Sequence, residues 1–260
     1  MQIGICTSVD QAATLREVGV DFIEENVGGL LCPLQPEESF APNLIRVQAS
    51  PLPVLTANCF LPGTLKCTGP AVDVDAIAAF AETTFRRAAL AGLKNIVFGS
   101  GGARQVPEGF SRETAFVQFV AVLKRLGPIA GEHGIRIVVE PLCRGDCNFL
   151  NTLDEGLAAV KACNHPQVGL LADIYHMTRN GETPDAITRC GSLLWYMHIA
   201  ENAKRTAPGV AGDDFRPFLR ALRQTGYDYV ISLECSDFHM PGDAPAAVRE
   251  LRRQLADVGY

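Results

Sequence analysis

Short apolar runs alternate with amphipathic helical segments along the whole chain, and this alternation restricts the fold more than any other feature. Each run has the length of a buried strand. The predicted strands are 2–6, 21–25, 53–58, 95–99, 135–140, 168–173, 193–199 and 228–234. The clearest helical segments are 74–91, 112–132, 152–163, 214–225 and 244–256. Repeated strand–helix units predict a parallel sheet with helices outside it.

A recurring joint supports these boundaries. At four places a helical segment ends on glycine and a strand begins within the next three residues: Gly19, Gly92, Gly134 and Gly226. Glycine suits the left-handed conformation that follows a helix. Thr152 with Glu155 makes a capping-box pattern, and Asp73 and Ser111 are candidate N-caps. These signals indicate that the strands and helices alternate regularly.

Eight such units favour a closed (β/α)8 TIM barrel of the α/β class that uses residues 1–260 as a single domain. An open doubly wound sheet usually has about five or six strands and a glycine-rich turn after the first. The first predicted strand here ends in ICTSVDQ, without that turn. Long polar loops are expected after the strands, at 26–40, 59–72, 99–111, 141–151, 174–182 and 200–213. Function is therefore expected at the carboxyl ends of the strands.

Charge and hydropathy limit the kinds of binding partner that are expected. The net charge is −6 and no basic stretch occurs, so nucleic acid is not an expected partner. No stretch approaches the roughly 18 apolar residues of a membrane span, so no membrane association is expected. The balance suits an enzyme that acts on a small, neutral or weakly charged molecule.

The cysteines and the N-terminus point to the cytoplasm. Nine cysteines are scattered, mostly within apolar runs, which fits reduced thiols better than a disulfide framework. The opening MQIGICTSVD reads as the first strand rather than a signal peptide. Cys143 and Cys147 form the one close pair, but no second pair follows at zinc-finger spacing, so ordinary loop thiols are favoured over zinc.

Four polar residues close consecutive apolar runs. Glu140 ends RIVVEP, Asp173 follows VGLLA, His198 lies in LLWYMHIAEN and Glu234 lies in YVISLECS. In a parallel barrel these side chains would converge at the mouth. Three carboxylates with one imidazole suit one divalent metal ion, Mn²⁺, Mg²⁺ or Co²⁺. The alternative is that each is simply a capped or paired polar residue, but buried carboxylates without positive charge or donors are costly.

The segments around these residues resemble the xylose isomerase-like TIM barrels, and most closely their ketose 3-epimerases. IVVEPLCRGDCNFLNT at 137–152 is similar to their EPLxRxExxxLNT segment, and ADIYHM at 172–177 to their D-x-x-H-M segment. MHIAEN at 197–202 and SLEC at 232–235 resemble their last two strands. The motifs occur in the same order and at similar intervals.

The resemblance implies a metal-dependent isomerase or epimerase of a keto-sugar or related polyol ketone. Glu140 and Glu234 would each bind the metal and move a proton, through a cis-enediolate. Asp173 and His198 would complete the metal shell, and His176 would face the substrate. Barrels of this kind often pair, so a homodimer or homotetramer is expected.

Further substrate contacts are expected around this centre. Asp146 stands where the epimerases usually carry glutamate, and Lys204 or Arg205 would replace their substrate-binding arginine. Arg104 could clamp a carboxylate or phosphate, although a surface arginine in a flexible loop is the simpler interpretation. Alternation along the second strand turns either Glu24 or Glu25 inward, and Glu24 is a candidate contact for substrate hydroxyls.

Other functions stay open. The same enediolate could expel a β-hydroxyl, as in an inosose-type dehydratase, which is a lyase. An endonuclease IV-like phosphodiesterase is disfavoured, because the third and fourth strands end in TANCF and VFGSG without histidine. A non-catalytic sugar-binding barrel is the remaining alternative.

Overall fold

Eight parallel strands close into one barrel in the computed structural model of the chain, which describes residues 1–236 and 238–260. The strands follow one another in chain order, and the last pairs with the first. They are β1 Gln2–Cys6, β2 Phe22–Asn26, β3 Val54–Asn58, β4 Asn95–Phe98, β5 Arg136–Val139, β6 Val168–Asp173, β7 Leu194–Ile199 and β8 Val230–Leu233. All eight predicted strands and the (β/α)8 TIM barrel are confirmed.

Helices surround the barrel. They are α1 Ala12–Glu17, α2 Glu37–Gln48, α3 Val74–Leu90, α4 Gly101–Arg104, α5 Arg112–Glu132, α6 Leu153–Cys163, α7 Ile174–Asn180, α8 Asp185–Cys190, α9 Arg216–Gln224 and α10 Ala244–Asp257. Two 3-10 turns and one π turn lie at Val9–Gln11, Gly191–Leu193 and Val27–Leu31. The five predicted helices, α3, α5, α6, α9 and α10, agree with the structure to within two residues at each end. No helix in the described part of the chain is long and apolar enough to span a bilayer.

The local signals act as the sequence predicts. Thr152 and Glu155 form the reciprocal capping box that begins α6, and Asp73 and Ser111 cap α3 and α5 through their side-chain oxygens. The four glycines that end helical segments have positive φ angles of 65–85°: Gly19, Gly92, Gly134 and Gly226. Most residues with a Cβ are strained in this conformation, so glycine is favoured at these four turns from helix to strand.

The expectation of long loops after the strands is wrong in several places. The 26–40 segment contains the π turn and the start of α2, and α4 lies within 99–111. The 174–182 segment is mostly α7, which begins directly at the end of β6. Asp173 is its N-cap, because its carboxylate accepts a hydrogen bond from the backbone N–H of Tyr175 at 2.8 Å. One side chain therefore both ends a strand and starts a helix.

Two apolar layers hold the barrel together. The interior is filled by a separate cluster of buried side chains: Phe22, Val97, Val138, Leu171 and Tyr196. The larger core lies between the strands and the helices. There the ring of Phe98 packs against Phe60 and Phe119 at centroid distances of 5.3 and 5.2 Å. Each such aromatic pair contributes about 0.5–1.5 kcal/mol beyond area burial. The interior layer also sets which side chains reach the barrel mouth.

Candidate active site

The four predicted metal ligands lie one pleat beyond the interior layer. Side chains two residues apart on a strand point to the same face, so each ligand continues the inward row of its strand. On three strands a predicted ligand follows a residue of the interior layer by two positions: Glu140 follows Val138, Asp173 follows Leu171, and His198 follows Tyr196. On the last strand, buried Ser232 precedes Glu234 in the same way. Strand parity thus aims all four side chains into the mouth.

The four groups converge on a common centre. One ligand atom from each of Glu140, Asp173, His198 and Glu234 lies within 4.8 Å of the others. Nδ1 of His198 is 3.1 Å from Oε1 of Glu140 and 3.1 Å from Oε2 of Glu234. Asp173 pairs with His198 in the register of β6 and β7, which places them side by side. We call these four residues the tetrad.

Three of the four tetrad side chains are carboxyl groups, and their surroundings shift the pKa of each one. Burial raises the pKa of Glu140, and the charge of Glu234 adds to this effect. Burial also raises the pKa of Asp173 to about 6, although the positive charges of Arg205 and His198 oppose it. At Glu234 burial is outweighed by His198 and Arg205, which lower its pKa to about 2. Positive charge at the centre of the group would favour the ionised form of all three carboxyl groups.

The chemistry of the tetrad fits a hard divalent cation. Three carboxylates and one imidazole suit Mn²⁺, Mg²⁺ or Co²⁺, whereas structural zinc prefers thiolates and imidazoles. Cys143, Asp146 and His176 form a neighbouring group of potential ligands. However, Nδ1 of His176 already accepts the backbone N–H of Cys143 at 3.2 Å. The tetrad is therefore a better candidate metal centre than this neighbouring group.

Arg205 supplies positive charge to the tetrad. Its Nη2 lies 3.0 Å from Oδ2 of Asp173 and also contacts Oε2 of Glu234. Its Nε donates to the backbone oxygen of Glu234 at 2.9 Å, and its guanidinium carbon lies 4.7 Å from the ring centre of Tyr175. Lys204, the other candidate, is exposed to solvent. The structure therefore brings Arg205 and not Lys204 to the tetrad.

Glu201 organises the segment that carries Arg205. Its fully buried carboxylate accepts backbone N–H groups of Gly209 at 2.8 Å and Gly212 at 3.0 Å, and the hydroxyl of Thr206 at 2.9 Å. Burial alone would raise the pKa of Glu201, but these hydrogen bonds and one from Ala211 lower it. The segment after β7 folds back toward the barrel mouth because the ionised carboxylate of Glu201 accepts hydrogen bonds from its backbone N–H groups.

His176 and Asp146 lie at the edge of the tetrad. His176 follows Asp173 by one helical turn on α7, and its Nε2 is 3.5 Å from Oδ2 of Asp173. Burial is the main reason that the pKa of His176 is lowered, so its neutral form is favoured. Asp146 is about half exposed, and its Oδ2 lies 3.8 Å from Nδ1 of His176. Both side chains can reach a molecule that enters the mouth.

A cavity of about 300 Å³ opens onto the tetrad. Its size suits a small polar molecule. It is lined by Asn58, Cys59, Leu61, Gly99, Ser100, Gly101, Gly102, Glu140, Leu142, Asp146, His176, Arg205 and Glu234. Sequence reasoning missed Asn58, whose Nδ2 donates to Oε1 of Glu234 at 2.9 Å. The available signal was strand parity, because Asn58 follows buried Thr56 by two residues at the end of β3.

The structure places two further candidates away from the cavity lining. Glu24 is buried, and it lies against Nε2 of His198 on the side of the ring that faces away from Glu140 and Glu234. Arg104 is also fully buried, and its Nη1 donates to the backbone oxygen of Phe98 at 3.4 Å. Ser100 turns the chain through a φ angle of +41° into α4, and Arg104 packs over the ring of Phe119 in the outer core. The sequence did not indicate this turn, so neither the predicted ligand clamp nor the surface position of Arg104 agrees with its buried location.

Proteins with similar sequences are sugar isomerases and epimerases. The chain is 37% identical over 117 residues to an L-ribulose 3-epimerase of Methylomonas sp. (strain DH-1), which is 44% of this chain and 40% of that protein. It is 27% identical over 126 residues to an inosose isomerase of Bacillus subtilis (strain 168), which is 44% of this chain and 45% of that protein. The matched segments span less than half the length of these relatives.

A solved structure matches over nearly the whole chain. The D-allulose 3-epimerase from Methylomonas sp. in complex with D-allulose superposes with a TM-score of 0.78 at 25% identity. The match covers 98% of this chain and 97% of that one. The model of the xylose isomerase-like TIM barrel family matches residues 13–257. Barrel, motif order and family match agree, and the chain belongs to the xylose isomerase-like TIM barrel family.

Proposed function

We propose that this protein is a divalent-metal-dependent isomerase or epimerase of a keto-sugar or related polyol ketone. The observation that carries the proposal is the pairing of Glu140 and Glu234. These carboxylates directly follow β5 and β8, both line the small cavity, and each lies 3.1 Å from Nδ1 of His198. Two carboxylates that share a cation site beside a cavity can move a proton to and from one bound carbon. The sugar epimerases and isomerases among the relatives support this reaction class.

The tetrad would hold the cation through Glu140, Asp173, His198 and Glu234. A divalent cation bound there would polarise the substrate carbonyl and stabilise negative charge on its oxygen. One of the two glutamates removes a proton from the carbon beside the ketone. In an epimerisation, the other gives a proton to the same carbon from the opposite face. In an isomerisation, a proton goes to the former carbonyl carbon, and the hydroxyl proton of the first carbon passes to the former carbonyl oxygen. Proton exchange with solvent then restores both carboxyl groups, so the reaction has no net change in protons.

The surrounding side chains orient the glutamates and the substrate. Asn58 and Arg205 hold the two carboxylate oxygens of Glu234, which limits its rotation. His176 and Asp146 line the cavity and offer hydrogen-bonding groups to substrate hydroxyls. The buried position of Arg104 and the exposed position of Lys204 give neither a direct role in this arrangement.

Two substrate classes are the best candidates. The first is open-chain ketoses, because L-ribulose and D-allulose appear in the names of the epimerases to which the chain is similar. The second is cyclic polyol ketones, which the similarity to an inosose isomerase favours. Both present a hydroxyl beside a ketone, which is the unit that the tetrad and its two glutamates would recognise.

Deuterium exchange tests the reaction directly. Ketopentoses, ketohexoses and inososes are incubated with the protein and Mn²⁺ in D₂O, and the recovered compounds are analysed by NMR and mass spectrometry. We expect one deuterium on the carbon next to the ketone, in both the product and the returned substrate. Omission of Mn²⁺ with added EDTA should stop the exchange.

Other outcomes distinguish the competing functions. A dehydrated enone product would identify a lyase that uses the same proton abstraction. Tight sugar binding without exchange, with or without Mn²⁺, would identify a binding protein and contradict the proposal.

A further inference from the structure

The ring of His198 is held between carboxylates on two sides. Nδ1 faces Glu140 and Glu234, each at 3.1 Å. Nε2 faces Glu24, whose Oε1 and Oε2 lie 2.9 and 3.1 Å away. The imidazole is fully buried and Glu24 is 1% exposed, so water does not compete for these contacts. The two ring nitrogens therefore have different environments, one toward the tetrad and one toward the barrel interior.

Glu24 reaches His198 from the far side of the barrel. It belongs to β2, and it follows Phe22 of the interior layer by two residues, so strand parity turns its side chain inward. Glu24 thus lies beneath the imidazole, which separates it from the cavity lined by Glu140 and Glu234. This location differs from that of a side chain that contacts substrate hydroxyls.

Tyr196 fixes the carboxylate of Glu24 in turn. Its hydroxyl lies 2.6 Å from Oε2 of Glu24, and its ring packs edge-on against His198 with centroids 5.4 Å apart. The tyrosine O–H donates to Glu24. A carboxyl group held against Nε2 favours, when a cation binds at Nδ1, the tautomer that carries the proton on Nε2. A proton held on Nε2 leaves the lone pair of Nδ1 free to face the tetrad.

We propose that Glu24 and Tyr196 are positioning residues that hold His198 in the tautomer and orientation needed for its Nδ1 to bind the divalent cation. The inference rests on the proposed function, because it assumes that the tetrad binds a cation. It assigns Glu24 a role that acts through His198 instead of a contact with the substrate. Carboxylates behind metal-binding histidines typically change metal affinity by about 10- to 100-fold when they are replaced.

Metal affinity of the purified protein provides the main test. Mn²⁺ binding is measured by isothermal titration calorimetry for the wild type, Glu24→Gln, Tyr196→Phe and the control Glu25→Gln. Glu25 is the next residue on β2, but its carboxylate accepts the backbone N–H of Val9 at 2.6 Å, away from the tetrad. We expect Glu24→Gln to weaken Mn²⁺ binding by about 10- to 100-fold. Tyr196→Phe loses one hydrogen bond and should weaken it by about 5-fold, whereas Glu25→Gln should bind as the wild type does.

The imidazole itself provides a second readout that needs no substrate. In ¹⁵N-histidine-labelled protein loaded with Mg²⁺, we expect the Nε2 of His198 to carry a slowly exchanging proton. In Glu24→Gln that proton should exchange faster or its resonance should shift. Glu24→Gln keeps the size of the side chain, and circular dichroism and thermal unfolding check that each variant is folded. Tyr196→Phe gives an independent measurement if Glu24→Gln does not fold.

The possible outcomes separate this inference from the proposed function. Unchanged Mn²⁺ affinity in folded Glu24→Gln, with a raised KM for substrate, would overturn the inference and return Glu24 to the substrate contacts. Weaker metal binding with normal KM at saturating Mn²⁺ supports it. A wild type that binds Mn²⁺ but turns over no ketone would contradict the proposed function alone. A wild type that binds no divalent cation would contradict both.

Discussion

At the scale of single residues, Glu140 and Glu234 carry most of the proposed chemistry. Their surroundings differ, since burial and the charge of Glu234 raise the pKa of Glu140, while His198 and Arg205 lower that of Glu234. A cation bound at the tetrad would favour the ionised form of both. The two side chains are therefore not equivalent, although they approach the same imidazole nitrogen.

Replacing either glutamate by glutamine should stop proton transfer without changing the shape of the site. We expect Glu140→Gln and Glu234→Gln each to lower kcat by about 10²- to 10⁴-fold. Initial rates and deuterium incorporation measure the effect. The matched control is Glu113→Gln on the exposed surface of α5, which should keep wild-type turnover. If both site variants kept normal turnover, the acid–base pair would be misassigned.

Arg205 should contribute most to the stability of the fold when no metal is bound. Its guanidinium contacts Asp173 and Glu234, and its removal leaves buried carboxylates without that positive charge. Breaking a buried pair typically costs about 3–5 kcal/mol, and Arg205 is only 19% exposed. We expect Arg205→Gln to lower Tm in EDTA more than in Mn²⁺, because the cation supplies the missing charge.

The neighbouring residue provides the control for this effect. Lys204 is exposed, so Lys204→Gln should change Tm little under either condition. Differential scanning calorimetry of both variants, with and without Mn²⁺, makes the comparison. Equal Tm losses for Arg205→Gln in EDTA and in Mn²⁺ would argue against charge compensation at the tetrad.

At the scale of elements, the segments after the strands carry more structure than their polar sequences suggest. Asp173 begins α7, and Glu201 gathers four backbone N–H groups of the segment after β7. In each segment one carboxylate accepts hydrogen bonds from backbone amides. The same principle operates at the start of α6, where Glu182 accepts the backbone N–H of Leu153 at 2.9 Å.

Glu182 should make the stability of the protein depend on pH. Burial, the largest effect, raises its pKa from 4.5 to about 7, partly opposed by the N–H of Leu153 and increased by the charge of Asp154. The folded protein thus binds this proton more tightly than the unfolded chain. The contribution of Glu182 to stability is fully present below pH 4.5 and is lost as the pH rises toward 7.

Replacing Glu182 by glutamine should remove this pH-dependent loss of stability. We expect the free energy of unfolding of Glu182→Gln to fall less between pH 4.5 and pH 7 than that of the wild type, by on the order of 2 kcal/mol once solvent screening of this partly exposed group reduces the effect of the pKa shift. Urea unfolding at a series of pH values measures the difference, with Glu113→Gln as the surface control. Parallel profiles for the wild type and Glu182→Gln would rule out this role for Glu182.

At the scale of the whole molecule, the tetrad joins four strands at one end of the barrel. A cation there would bind carboxylates at the ends of β5, β6 and β8 and an imidazole from β7 only when the barrel is closed. Binding to the folded state alone stabilises it, by about 2.7 kcal/mol at a metal concentration 100 times the Kd. For a chain of this size, such a change corresponds to a rise in Tm of about 5–10 °C.

Thermal unfolding with Mn²⁺, Mg²⁺ and Co²⁺ tests this coupling. We expect each cation that binds to raise Tm above that in EDTA, and Asp173→Asn to reduce the rise. The order of the three shifts at equal concentration would rank the cations. A Tm that none of these cations changes would contradict a metal centre at the tetrad.

Much of the architecture was predictable because it depends on local patterns. The eight strands are short apolar runs, and glycines, capping residues and helical periodicity mark the elements between them. The identity of the tetrad was also predictable, since Glu140, Asp173, His198 and Glu234 each end an apolar run at the same strand position. Short helices such as α7 were missed, because polar residues after a strand give no helical period over so few positions.

The sequence by itself determined a parallel eight-stranded barrel and nominated four polar residues at consecutive strand ends. The tertiary structure decided which atoms meet. It brought Arg205 rather than Lys204 to the tetrad, added Asn58, put Glu24 beneath His198 and buried Arg104 in the outer core. The physical reason is that strand periodicity is local, whereas these contacts depend on how distant strands and turns meet in space. Even the room for Glu140 depends on Gly99 of the neighbouring strand end, where a Cβ would overlap its carboxylate.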